Sequence, residues 1–590
     1  MTFVATRVLW LVTAMRSTFY WEESYRWIAA NELLHHPFHS LLVYQADHYQ
    51  GGTLAMILLA TGVMKLFGQT PFVFKMALVL YSGATLTALY ILVRKGFGRV
   101  EAIVAAVGYI AAPPLAAYWS IVITGSHTES VLFSMVTTLL VLRLLHDPAR
   151  TRGAWLVLGI VSGLGIWFCY TSAITLAACA MVWLLLRGVP GAGELAAGAG
   201  GGLVGLLPWF AYNIPERFAG LTRVVQIFGY GDSKDLWLPQ STAEKLWHVV
   251  TRDIPAGATQ LFDAHLPSWM IFPLEIAFAV PLFVAISISV VRVAMLAVPV
   301  HPRADPAVVE IDATLRAREA VFVVYLALFV ALIGASSFTV DDLMPLSLRF
   351  YVPPLVLAPV LMALSVARAA GRGTVVSSAG AGEVALPLLG RVGGAPAQPR
   401  LVAGAAMAAA LAYGAACVVS LVVFAAGHAD SQASLASLGG YNVQGLLLHL
   451  KYESDLTRAE RIAREVGDRV ARSRIFAGIG WGVATRVRAG GSFASAREAV
   501  EKGTSPEERA GMIAGITWGA RIILKTNDAS SEAARMVPGR IEAIRGRMTE
   551  LLSYAEPELN RLPPSLRLLG FQRTTLPGYF EEPVTKPAGG

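Results

Sequence analysis

Residues 52–67 read Gly-Thr-Leu-Ala-Met-Ile-Leu-Leu-Ala-Thr-Gly-Val-Met-Lys-Leu-Phe. Whether this run crosses a bilayer or lies along it sets the side of every helix that follows. A spanning helix needs about 20 mostly apolar residues. The other candidates are 3–19, 73–93, 100–118, 129–146, 154–169, 172–187, 196–213, 269–293, 319–338, 350–367 and 401–427. If 52–67 spans, the basic loop 94–99 moves to the outside. If it lies along the interface, all the basic short loops share one side: Arg94, Lys95 and Arg99; Arg150 and Arg152; Arg187; Arg292, Arg303, Arg316 and Arg318; and Arg368, Arg372, Arg391 and Arg400. The opposing loops 119–128 and 339–348 hold no Lys or Arg. The positive-inside rule therefore predicts about 11 transmembrane helices, with 52–67 a surface-lying or re-entrant helix. The N-terminus is expected in the cytoplasm and the C-terminal part in the periplasm, with 20–51, 119–128, 213–268 and 339–349 facing outward. The first run contains Arg7 and Arg16, so Met1 is expected to sit within the true first helix, and no small-residue cleavage site marks a signal peptide.

Composition divides the 590 residues in two. Over 1–427 there are 26 Lys/Arg and 22 Asp/Glu, and over 428–590 there are 22 and 18. The second density is that of an ordinary water-soluble domain, whereas the first is far below it. The chain is 55% hydrophobic with mean hydropathy +0.56, so 1–427 reads as an all-α polytopic membrane domain. Residues 428–574 read as a soluble periplasmic α-helical domain, and the Pro- and Gly-rich 575–590 as a disordered tail. The formal charge of +8 orients loops and gives no reason to expect nucleic acid. Arg outnumbers Lys 39 to 9, in keeping with a GC-rich bacterial genome, and Cys169, Cys179 and Cys417 all lie in apolar runs with no CxxC spacing.

Four clusters of ionisable residues fall on the expected outer face. Tyr20-Trp21-Glu22-Glu23-Ser24-Tyr25-Arg26-Trp27 sets two adjacent carboxylates among aromatics. Such a pair suits a general base beside a sugar platform, or equally an interfacial aromatic belt with solvated acids. Gln45-Ala46-Asp47-His48-Tyr49-Gln50-Gly51-Gly52 adds Asp47, His48 and Tyr49 ahead of a glycine turn; a polar helix cap accounts for them as well. Thr124-Gly125-Ser126-His127-Thr128-Glu129-Ser130 places His127 and Glu129 two residues apart. They suit one imidazole and one carboxylate on a divalent metal, though two ligands fall short of a site; the alternative is a dipole-favoured helix start. Leu348-Arg349-Phe350-Tyr351-Val352-Pro353-Pro354 offers Arg349 to a lipid phosphate, or to headgroups by snorkelling. Glu275 is a further acid at membrane level.

In order, these pieces resemble the GT-C-fold glycosyltransferases, near the protein O-mannosyltransferase and aminoarabinose-transferase branch, over roughly 1–370. The resemblance rests on Glu22-Glu23 after the first helix, where the family usually shows Asp-Glu. It continues through "HPFHSLLVYQADHYQGG", "LFGQTPFVFK", "GIVSGLGIWF" (159–168), "GGLVGLLPWFAYN" (201–213) and "RFYVPP" (349–354). It implies an inverting transfer of sugar from a polyprenyl-phosphate donor to a periplasmic glycan, lipid or protein. Glu22 or Glu23 would serve as base, Arg349 and Tyr351 would stand at the phosphate, and Asp47, His48 and Tyr49 would line the cavity. Metal use differs across the superfamily, and His127 and Glu129 are the expected place for one. A polytopic transporter or lipid-carrier flippase is the alternative, but its ionisable groups usually lie at mid-membrane, whereas here they crowd one face.

The C-terminal part repeats. Ala477-Gly478-Ile479 and Trp481-Gly482 recur 37 residues later as Ala514-Gly515-Ile516 and Trp518-Gly519. That period predicts stacked helical hairpins of the tetratricopeptide kind, with the tryptophans in the core and a third, degenerate copy at 430–450 or 540–570. Docking of an acceptor or partner near the catalytic mouth is the expected role of this part, with a purely structural cap as the alternative.

Overall fold

The computed structural model describes residues 2–14, 21–35, 41–45, 50–146, 151–228, 268–294, 306–335, 352–369, 373–376, 383–386, 456–466, 468–488, 491–501, 505–526 and 540–567, with single helical positions between 442 and 449 and at 243 and 247. The secondary-structure elements among the described residues are helices apart from one antiparallel pair, β1 (Gly373–Val376) with β2 (Glu383–Leu386). That hairpin falls in the stretch expected as a plain basic loop.

The front of the chain runs α1 (Thr2–Ala14), α2 (Trp21–His35), a 3-10 turn Leu41–Tyr44, α3 (Gly52–Phe67), α4 (Pro71–Gly96), α5 (Arg99–Ile110), α6 (Pro114–Tyr118), α7 (His127–His146), α8 (Arg152–Phe168), α9 (Ser172–Arg187), α10 (Ala192–Gly205), α11 (Leu207–Asn213) and α12 (Ala219–Phe228). Three long helices follow: Ser268–Ala294, Pro306–Ala335 and Val352–Ala369. Among the described residues, Pro71–Gly96 and His127–Leu145 are long and apolar enough to cross a membrane; α10 and α11, bent by 52° at their joint, make a third if they form one span. The protein is thus a multi-pass membrane protein. Residues 401–427, with Cys417, and the tail 575–590 lie outside the described residues.

Local chemistry sets the boundaries. The Thr70 hydroxyl accepts from Val73 N at 3.3 Å and Pro71 opens the first turn of α4, while Arg94 and Lys95 close its last turn. The run 100–118 is not one helix. α5 stops at Ile110 because Pro113 and Pro114 lack amide donors and push the preceding residues out of helical geometry. The segment 20–51, read as a link, contains a full helix, α2.

The two Gly-rich runs 159–168 and 201–213 face each other. A Cβ on Gly159 would stand 2.1 Å from Gly198 O, one on Gly163 2.4 Å from Gly202 O, and one on Gly201 2.1 Å from Leu156 O. α8 and α10 therefore touch backbone to backbone, the close approach that small residues allow between membrane helices.

The C-terminal part holds the helices Leu456–Ala463, Arg469–Arg488, Phe493–Glu501, Pro506–Thr526 and Arg540–Arg561. The repeated Gly motifs lie on neighbouring long helices and fit into each other: a Cβ on Gly515 would stand 1.9 Å from Ala477 O. Asn442, Gln444, Gly445, Leu446, Leu448 and His449 are helical positions, and a Cβ on Gly445 would stand 1.8 Å from Ile475 O. Trp481 and Trp518 are only partly buried, packed beside Ala477 and Ala514. One apolar core joins both parts of the chain, running from Tyr25, Trp27 and Leu54 through to Leu448, Ile475 and Met548.

Candidate active site

The site is built around residues 119–126, the non-helical stretch between α6 and α7. Buried loop backbone needs partners, and here side chains from three helices, α2, α4 and α7, supply them, while α1 holds a loop side chain. Arg7 of α1 donates through Nε to Ser120 Oγ at 2.7 Å and through Nη2 to Ile110 O, at the end of α5, at 3.2 Å. Ser82 of α4 donates to Ser120 O at 3.1 Å. Lys75 of α4 donates to Ile121 O at 3.4 Å, and Ile123 N donates to Glu23 Oε1 of α2 at 3.0 Å.

Glu23 and Lys75 form an ion pair of 2.6 Å with both side chains fully buried. Both carboxylate oxygens are thus engaged, one by an ammonium and one by an amide. A carboxylate so held ties α2 to α4 and to the loop; it is not poised to take a proton from a hydroxyl, the job its position in the sequence suggested. Glu22 precedes it in α2.

Glu129, at the first turn of α7, folds back on the loop. Its carboxylate accepts from Thr124 N (2.7 Å), Thr124 Oγ1 (2.6 Å), Gly125 N (2.8 Å) and Ser126 N (3.2 Å). A carboxylate has about four acceptor sites, and four donors occupy them. His127 is buried, with Nδ1 3.6 Å from Cys169 Sγ and its ring edge-on to Tyr170. The expected metal pair therefore does not fit a divalent ion, because the Glu129 donor set is consumed by the loop. Among the described residues no three His, Cys, Asp or Glu come together as metal ligands.

The glycines ahead of α3 complete the joint. Gly51 N donates to Trp167 O at 2.6 Å, and a Cβ on Gly52 would stand 2.2 Å from Gly125 O. Gly125 itself has φ 61°, a left-handed conformation that suits glycine. Asp47, His48, Tyr49, Arg349 and Tyr351 lie outside the described residues. Farther along α2, burial raises the Glu32 carboxyl to about 7, with the Gln444 hydrogen bond partly opposing it.

Sequence reasoning passed over Lys75 and Arg7 as chemistry. The available signal was an ionisable residue inside an apolar run, costly at that depth unless paired.

Fold and site together define a helical multi-pass membrane protein with a buried polar joint at one end of its bundle. Residues 53–207, about a quarter of the chain, match the family of dolichyl-phosphate-mannose-protein mannosyltransferases. The resemblance to membrane glycosyltransferases read from the sequence is thus met over the stretch holding Lys75, the 119–126 loop and Glu129. No curated protein sequence matches significantly. Among solved structures, the chain is similar to the oligosaccharyltransferase of Archaeoglobus fulgidus in its apo form, with 12% identity, 78% of this chain and 59% of that one covered, and a TM-score of 0.39. It is also similar to ArnT from Cupriavidus metallidurans bound to undecaprenyl phosphate, with 13% identity, 97% and 76% covered, and a TM-score of 0.38. The match spans less than two thirds of the archaeal enzyme's length.

Proposed function

We propose that the protein is an inverting membrane glycosyltransferase that moves a sugar from a polyprenyl-phosphate donor to an acceptor hydroxyl in the bacterial periplasm. In this reading the membrane domain has about eleven spans, a cytoplasmic N-terminus and a periplasmic C-terminal domain. Glu22 takes the proton of the acceptor hydroxyl as its oxygen attacks the anomeric carbon. The bond from that carbon to the phosphate oxygen breaks, and polyprenyl phosphate leaves. Arg349, with Tyr351, neutralises the phosphate charge, which is worth most in a site that excludes water. Asp47, His48 and Tyr49 line the sugar cavity. Glu23 anchors α2 through Lys75, so the acidic pair divides into one base and one tether.

The observation that carries this reading is the placement of α2. It carries Glu23 of the acidic pair to α4 and to the 119–126 loop, both of which lie within the residues that match a mannosyltransferase family, α2 itself preceding that match. The test is transfer from a radiolabelled polyprenyl-phosphate sugar in proteoliposomes. Glu22→Gln is expected at normal protein level with transfer reduced at least ~100-fold, the scale of losing a general base. Movement of the lipid with its sugar bond intact would instead indicate a flippase.

A further inference from the structure

α2 carries the acidic pair at its start and Glu32 almost three turns on, roughly 15 Å along the axis. Glu32 Oε2 accepts from Gln444 Nε2 of the C-terminal domain at 3.5 Å. Gln444 is buried and rigidly carried, because Gly445 seats against Ile475 O and Asn442 donates to Arg474 O at 2.8 Å. Around the contact, Trp27, Ile28 and Leu448 share the common apolar core, with Leu33 and Leu34 packed against it.

A second contact lies on a different element. After α11 the chain turns through Arg217 (φ 51°) and Phe218 (φ 60°), a left-handed conformation that non-glycine residues adopt only at a cost. Asn213 holds the turn, its carbonyl accepting from Phe218 N at 2.7 Å and its Oδ1 from Gly220 N at 2.8 Å. The turn sets Glu216 against Arg458, whose guanidinium engages both carboxylate oxygens, one of them at 2.8 Å. A bidentate pair of this kind fixes orientation as well as distance. Arg458 sits on Leu456–Ala463, whose Ala459, Ile462 and Ala463 enter the shared core.

We propose that the C-terminal helical domain is an intramolecular clamp, gripping the membrane domain at Glu32–Gln444 and Glu216–Arg458 and so setting where α2 holds the acidic pair. Gln444 and Arg458 are positioning residues. Only the effect on transfer rests on the function proposed above; the clamp does not.

The test uses the full-length chain in nanodiscs, with Arg458→Glu, Glu216→Arg, the double exchange, and Gln444→Ala as the milder variant if Arg458→Glu does not fold. Two quantities are read: amide exchange over residues 21–35, and transfer kinetics. Arg458→Glu is expected to speed exchange over 21–35 about fivefold. It should also lower kcat about tenfold while the donor KM stays unchanged. The double exchange should recover both. Unchanged exchange in Arg458→Glu, or in Gln444→Ala where that variant is used, overturns the clamp. Faster exchange with unaltered kcat overturns the positioning role. If the wild-type chain transfers no sugar, the functional reading fails while the exchange measurement still decides the clamp.

Discussion

Lys75 shows how one side chain changes the meaning of another. Alone, Glu22-Glu23 reads as two interchangeable acids. With Lys75 Nζ 2.6 Å from Glu23 and both groups fully buried, one of the two becomes structural. Removing a single partner of such a pair strands a charge out of water and costs about 3–5 kcal/mol, whereas removing both is far milder. Lys75→Met and Glu23→Gln are each expected to lower the melting temperature in detergent strongly, and the double variant to regain most of the loss. A double variant as unstable as the worse single would show that the pair is not the shared cause.

Between α8 and α10, packing depends on bare backbone. Gly201→Val should disrupt the contact, since a Cβ there meets Leu156 O at 2.1 Å, while Gly200→Ala should be silent because nothing lies within 4 Å of its Cβ. Melting temperatures of the two variants check this, and equal values would count against the close approach. The helical character of the chain and most apolar runs were legible in the sequence, because length and hydropathy are local properties. The Pro113-Pro114 break was written there too, but the apolar count over 100–118 outweighed it. α2 was hidden by its polarity: it is buried on several sides, with α3 and the C-terminal part among its neighbours, which no local window reveals. For Glu129, the hydrogen-bonded helix start weighed against metal binding is what the structure displays. Glu23 went the other way, because its partner lies 52 residues downstream.

At the scale of the whole molecule, Glu32 at the junction between the parts and buried His449 within the C-terminal part have opposite pH responses. Folding raises the Glu32 carboxyl from 4.5 to about 7, so the folded state favours its protonated form; this contribution is most favourable below 4.5 and is lost as pH rises toward 7. Folding lowers His449 from 6.5 to about 4, by burial first and by Arg486 second, so its contribution is intact above 6.5 and is lost as pH falls toward 4. In the full chain the two slopes offset each other between about pH 4.5 and 6.5. Glu32→Gln should leave a melting temperature that drops on the acid side, and His449→Gln one that drops as pH rises through neutrality. Parallel profiles for the two variants would contradict this assignment. The 119–126 loop carries a consequence of another kind, for biogenesis. Its backbone finds partners only when Glu23, Lys75 and Glu129 have all arrived from α2, α4 and α7. A chain with any one of those helices misplaced leaves an acid or an amide unpaired in the bilayer, a penalty of several kcal/mol. Assembly of the joint and correct insertion of the chain are therefore a single event, and a misinserted copy has no stable resting state in which to accumulate.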